Sequence, residues 1–151
     1  MAVSLPGPAD LAQLVSAVTR PMLGLSFGPD VEDRPWADLV WRAAVLNIPG
    51  AFPLSVGLSS DRAGCEKLCA AMFQVPHSEV DDEMLSDALR ELVNMTAGLI
   101  KSHLKLDQAL GLPRITPSGH PPVPPPPPGA SAVILRADKL GLVLWVFQGI
   151  A

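Results

Sequence analysis

An acid, an amide and a glycine recur at helical intervals in the segment Ser86 to Lys101, SDALRELVNMTAGLIK. At 3.6 residues per turn, Asp87, Glu91, Asn94, Gly98 and Lys101 gather on one side of a helix. Leu85, Leu89, Leu92, Thr96, Leu99, Ile100 and His103 gather on the other. The polar set therefore forms a solvent-facing stripe at i, i+4, i+7, i+11 and i+14. Two of its members are poor choices for helix stability alone. Asn94 is a mediocre helix former in mid-helix, and Gly98 costs about 1 kcal/mol relative to Ala. Glycine also lets another backbone come close. An acid, an amide and a small residue on consecutive turns suit a docking face with polar chemistry. Exposed helices also carry acids and amides with no role, and Glu-x-x-Asn arises by chance in many proteins. The helix alone leaves both readings open.

The elements that must position this stripe are readable from periodicity. Residues 8–20 form an amphipathic helix with Leu11, Leu14, Val15 and Val18 at helical spacing, between Gly7-Pro8 and Pro21. Met22 to Phe27 reads as a short strand, followed by a turn at Gly28-Pro29-Asp30. Trp36 to Asn47 and Phe52 to Leu58 read as two strands joined as a hairpin across Ile48-Pro49-Gly50. Ser59, Ser60 and Asp61 are N-cap candidates for a helix that runs to about Gln74. The long helix extends from about Asp81 to Leu106. Its first turn carries Asp81, Asp82 and Glu83, and Lys101 and Lys105 lie toward its end, as the helix dipole favours. Gly111-Leu112-Pro113 closes the region. The run PPVPPPPPG at 121–129 favours polyproline II and cannot enter a sheet interior. Ala132 to Arg136 and Leu142 to Phe147 read as strands around a turn at Ala137-Asp138-Lys139.

Composition narrows the function classes. A chain of 151 residues favours one domain with a real core. With 48% apolar and 17% charged residues, the sequence is not a disordered one. Mean hydropathy is positive, yet no apolar run reaches the roughly 18–20 residues that span a bilayer. No basic stretch followed by an apolar one opens the sequence, which leads to the expectation of a cytoplasmic protein without membrane association. A net charge of −4 argues against nucleic acid as a partner. Cys65 and Cys69, at i and i+4 with no His or second Cys pair near them, read as small buried residues in a reducing compartment. His77, His103 and His120 show no pattern for a metal or a nucleophile, and no metal site is expected.

The chain resembles the CheC/CheX/FliY family of chemotaxis phosphatases along roughly Leu11 to Phe147, interrupted by the proline run. The signature of that family is Asp or Ser, three residues, Glu, two residues, Asn, then twenty-two residues and Pro. Asp87, Glu91, Asn94 and Pro117 keep every spacing, and ELVNMTAG is close to the family core. The strand, Gly, strand, helix order through Ile48-Pro49-Gly50-Ala51-Phe52 and Met72-Phe73 fits as well. Only one Glu-x-x-Asn copy is present, as in the one-site CheX members, which often pair as dimers. The resemblance implies an α+β fold, a mostly antiparallel β-sheet packed against long α-helices, in a single domain over 1–151 with a Pro-rich loop insertion at 118–130.

It also implies an activity. Such proteins hydrolyse the aspartyl phosphate of CheY-like receiver domains in response regulators. The receiver supplies Mg²⁺ and a Lys that neutralise phosphoryl charge, so the phosphatase needs no cofactor of its own and has mainly to position water. Asn94 would orient that water through its amide, and a carboxylate there would be repelled by the phosphoryl oxygens. Glu91 would form a salt bridge to the receiver's Lys. These two are the catalytic candidates. Asp87 either contacts the receiver or solvates the helix, Gly98 fits close approach of a partner, and Pro117 fixes a loop. The proline run shapes the partner surface, docks a Pro-binding module or acts as a spacer. The alternative function is a non-catalytic module that binds a receiver or signalling protein.

Overall fold

When one face of a sheet is covered by helices, each strand must turn every second apolar side chain toward them. Four strands here obey that rule in register. Ala44, Leu46 and Ile48, then Leu54, Val56 and Leu58, then Leu135 and Ala137, and finally Leu140, Leu142, Leu144 and Val146 are all buried in one core cluster. The computed structural model describes residues 4–30, 41–116 and 129–150. In chain order the elements are helix α1 (Pro8–Leu23), strands β1 (Gly28–Pro29), β2 (Arg42–Ile48) and β3 (Leu54–Ser60), and helix α2 (Arg62–Phe73). A short 3-10 turn (His77–Glu79), helix α3 (Asp82–His103) and strands β4 (Arg114–Thr116), β5 (Ser131–Ala137) and β6 (Leu140–Gln148) follow. The sheet order is β1-β5-β6-β3-β2-β4, and every neighbouring pair is antiparallel. The architecture is α+β, as the sequence leads one to expect.

Helix α3 packs on β2 and β3 and touches both α1 and α2. Its start is fixed by Asp81, whose carboxylate accepts from Met84 N at 2.8 Å. Arg42 at the head of β2 reaches the same turn, with Nη1 donating to the Asp82 carbonyl at 3.0 Å and to Ser86 Oγ at 3.1 Å. Arg62 of α2 pairs with Asp82 at 3.1 Å. Both guanidinium groups stand over the Trp41 ring, 4.2 and 4.7 Å from its centroid. Two elements, β2 and α2, thus converge on the first turn of α3. Burying Leu85, Leu89, Leu92 and Ile100 contributes about 1.5–3 kcal/mol each. That outweighs the roughly 1 kcal/mol that Gly98 costs, so packing fixes the rotational phase of the helix.

The far end of α3 is tied to the β2–β3 turn by the segment that follows it. Gln108 Oε1 accepts from Phe52 N at 3.0 Å, and its Nε2 donates to the Phe52 carbonyl at 2.9 Å. Gly111 N donates to the Asn47 carbonyl at 2.7 Å. A Cβ on Gly111 would stand 2.7 Å from that same oxygen, so only glycine fits this approach.

Several elements depart from the sequence reading. α1 does not stop at Pro21 but runs through it to Leu23 and ends on Gly24 at φ +68°. A proline in the last turn removes one hydrogen bond there, and Gly24 N restores a terminal one to the Arg20 carbonyl at 2.9 Å. Met22 and Leu23 are therefore helical, and no strand forms over Met22 to Phe27. The expected turn at Gly28-Pro29-Asp30 is instead the edge strand β1, where Pro29 needs no donor. β2 covers Arg42–Ile48, with 36–40 outside the described residues, and β3 is shifted two residues to Leu54–Ser60. Of the three cap candidates Asp61 takes the role, accepting from Gly64 N at 2.6 Å. α3 ends at His103, which is exposed rather than part of the apolar face. β4 is an element that the sequence reading did not contain.

On the opposite face of the sheet, Trp145 lies across Gly57, its register partner, and any Cβ at Gly57 would collide with the indole. Gly57→Ala is expected to lower stability by about 1–3 kcal/mol. Asp81→Ala is expected to cost about 1 kcal/mol through loss of the α3 cap. Denaturant unfolding midpoints check both, and an unchanged midpoint for Gly57→Ala would show that the indole moves freely.

Candidate functional site

With its apolar arc held on the sheet, α3 must turn Asp87, Glu91 and Asn94 outward. These three side chains line one open groove of about 540 Å³ together with Phe73, Arg90, Leu112 and Pro113. Asp87 and Glu91 are exposed and Asn94 is half-buried. Among the described residues, neither Glu91 nor Asn94 has a hydrogen-bond or ion-pair partner of its own. Both remain available to a second molecule. Asp87 is engaged, since Arg90 Nη1 donates to its Oδ1 at 2.8 Å.

The stripe is not uniformly open. Gly98 and Lys101 are half-buried, and the chain beyond α3 brings Leu110 toward Gly98. A Cβ on Gly98 would meet Leu110 Cδ1 at 3.9 Å, an ordinary contact. Among the described residues no packing demands glycine at this position, and Gly98 does not line the groove. Pro117 and the proline run up to Pro128 lie outside the described residues, as does His120.

Four groove residues, Phe73, Arg90, Leu112 and Pro113, were missed from the sequence. Phe73 ends α2 and is 41% exposed, and Leu112 is 92% exposed between Gly111 and Pro113. The large apolar side chains exposed among the described residues are Phe73, Leu112 and Ile150, so two of the three stand on this groove. Scattered exposed apolar residues carry no meaning, but a pair lining one groove marks a contact surface. The available signal was an apolar residue next to a helix breaker, at Phe73-Gln74-Val75-Pro76 and at Gly111-Leu112-Pro113. Arg90 sits on the flank of the polar stripe, where a two-sided helical wheel has no place for it.

The cysteines belong to the core and not to the site. Cys65 and Cys69 are buried and unbridged, and Cys65 Sγ lies 3.7 Å from the Ser60 carbonyl. Burial pushes the Cys65 thiol from its ordinary 9.0 up to about 12, and burial also raises that of Cys69. A folded-state pKa raised in this way favours the folded protein fully below about pH 9. The contribution is lost as pH rises toward 12, because only the unfolded chain ionises easily. The native protein is therefore expected to resist iodoacetamide at pH 8 and to react at both thiols once unfolded. Rapid native labelling, followed by mass spectrometry, would contradict this burial.

No helix among the described residues is long and apolar enough to cross a membrane. The family profile described as Chemotaxis phosphatase CheX matches residues 42–123, which include the whole of α3 and the candidate site. No curated protein matches the sequence. Among solved structures, a chemotaxis protein CheX from Desulfovibrio desulfuricans is 17% identical, with a TM-score of 0.68 over 92% of this chain and 96% of that one. CheX in the CheX–CheY–BeF3–Mg²⁺ complex from Borrelia burgdorferi is 15% identical, with a TM-score of 0.73 over 97% and 98%. The FliM middle domain from Helicobacter pylori is 7% identical, with a TM-score of 0.60 over 93% and 86%.

Proposed function

The chain belongs to the chemotaxis phosphatase CheX family, and on that premise we propose that it dephosphorylates a CheY-like response regulator. The observation that carries this reading is the pairing of an unengaged Glu91 with an unengaged Asn94 on one groove of a helix whose phase is fixed by packing. The Borrelia burgdorferi complex, in which a structurally similar protein is combined with CheY, BeF3 and Mg²⁺, supports a receiver as the partner.

The chemistry asked of this chain is small. In the hydrolysis, a water oxygen bonds to phosphorus, the bond from phosphorus to the Asp carboxylate oxygen breaks, and the water proton leaves with inorganic phosphate. The receiver's Asp carboxylate is regenerated. Asn94 accepts from the water through its amide oxygen and holds it in line with the breaking bond. Its neutrality matters, because a carboxylate in that place would repel the phosphoryl oxygens. Glu91, one turn away, meets the receiver's Lys and sets the angle of docking. Mg²⁺ sits on the receiver, and this chain contributes no cofactor. Phe73 and Leu112 cover the rim and limit access of other water. Gly98, one turn beyond Asn94 and outside the groove lining, admits close approach of the partner, a use that fits the absence, among the described residues, of packing that demands glycine there. With one Glu-x-x-Asn copy per chain, a homodimer would present two such grooves.

The test is phosphate release from receiver domains phosphorylated by a small-molecule phosphodonor. Asn94→Ala is expected to lower the turnover rate by about 10²-fold, the scale of losing one positioned hydrogen-bonding group, while receiver binding persists. Glu91→Ala is expected to weaken binding as well. Binding by the wild type without acceleration would place the chain among non-catalytic receiver-binding modules. Gly98→Ala offers a separate check. It should stabilise the protein by about 1 kcal/mol and weaken receiver binding, and stabilisation with unimpaired binding would remove Gly98 from the partner surface.

A further inference from the structure

The groove carries a charge problem that Glu91 and Asn94 do not solve. Asp87 and Glu91 set two carboxylates on the wall against which a phosphoryl dianion would dock. Arg90 is the one cation lining that groove among the described residues. It is held by Asp87 in an i, i+3 pair at 2.8 Å, with the two side chains 42% and 54% exposed. So exposed a pair contributes little to folding stability. Arg90 precedes Asn94 by four residues. That places it about 40° around the helix axis and roughly 6 Å along it, a distance that an arginine side chain spans.

Resting on the phosphatase reading above, we infer that Arg90 is the residue with which this chain recognises the phosphoryl group. In the free protein Asp87 keeps the guanidinium at the groove. When a phosphorylated receiver docks, the guanidinium turns to the phosphoryl oxygens, which accept from it in a planar, two-bonded geometry that lysine cannot reproduce. The switch favours the phosphate for two reasons. The dianion carries more charge than one carboxylate, and the docked groove holds less water to screen it. Arg90 thereby confers preference for the phosphorylated receiver, a property distinct from the water positioning assigned to Asn94. Asp87 acts as a positioning residue that stores the arginine in place.

The experiment uses a CheY-like receiver with Mg²⁺, with and without beryllofluoride as the phosphoryl mimic. Affinities are measured for wild type, Arg90→Ala, Arg90→Lys and Asp87→Asn, alongside hydrolysis of the phosphorylated receiver by wild type. The Arg90 side chain is 42% exposed and alanine is the better helix former, so the variant keeps its fold. The expected result is a loaded-to-unloaded affinity ratio reduced about tenfold in Arg90→Ala, the scale of a hydrogen bond to a charged group. Affinity for the unloaded receiver stays unchanged. Arg90→Lys recovers part of the ratio, and Asp87→Asn keeps or raises it by releasing the guanidinium. An unchanged ratio in Arg90→Ala, with a wild type that hydrolyses, overturns the inference and leaves the phosphatase reading intact. Equal losses for loaded and unloaded receivers in both Arg90→Ala and Asp87→Asn also overturn it, since the pair would then be structural. A wild type that neither hydrolyses nor distinguishes the two receivers overturns the phosphatase reading, and the inference with it.

Discussion

The burial of one arc of α3 on the sheet is the constraint from which the rest follows. An α-helix advances about 100° per residue, so fixing the azimuth of Leu85, Leu89, Leu92 and Ile100 fixes every other azimuth along the same rod. Glu91 and Asn94 need no support of their own to point outward together. The first turn is clamped by the Asp81 cap and by Arg42 and Arg62 converging on Asp82. Sliding or rotation of the helix would break those bonds as well as the apolar packing. A site built on such an element keeps its internal distances without a rigid surrounding loop.

What that site can do is limited by its polarity. It offers an amide, carboxylates, one guanidinium and exposed apolar side chains. These groups are suited to receiving a partner that brings its own reactive centre. The half-buried position of Asn94, between exposed acids and the loop beyond α3, places the one neutral hydrogen-bonding group deepest in the row.

Much of this is legible in the amino-acid sequence. The α3 wheel is strongly periodic, and its buried arc stands where the sequence put it save for His103 at the end, while the polar stripe is open at Asp87 and Glu91 and half-buried at Asn94, Gly98 and Lys101. The hairpin of β2 and β3 and that of β5 and β6 follow from alternation broken by Pro-Gly and Asp-Lys. The failures have local causes. Pro21 read as a stop, but a proline near a helix end loses only one bond, and Gly24 supplies a terminus further on. β1 and β4 are two and three residues long, too short for periodicity to register, and they exist because a neighbouring strand offers unpaired backbone groups. The Gln108 clasp joins positions 56 residues apart in sequence and leaves no pattern of its own. Phe73 and Leu112 escaped notice for the same reason, since their shared groove exists only after α2, α3 and the loop beyond have been assembled.

The groove is assembled from separable parts. Its chemical wall belongs to α3, while Leu112 and Pro113 sit on a segment pinned to the β2–β3 turn through Gln108 and Gly111. Phe73 belongs to the end of another helix. Substitutions in that outer rim leave the azimuth of Glu91 and Asn94 untouched, because nothing in the rim sets it. Recognition and chemistry can therefore drift independently. A lineage could exchange one signalling partner for another by altering a handful of surface residues, and a designer could graft a foreign rim onto the same helix, without rebuilding the reactive row.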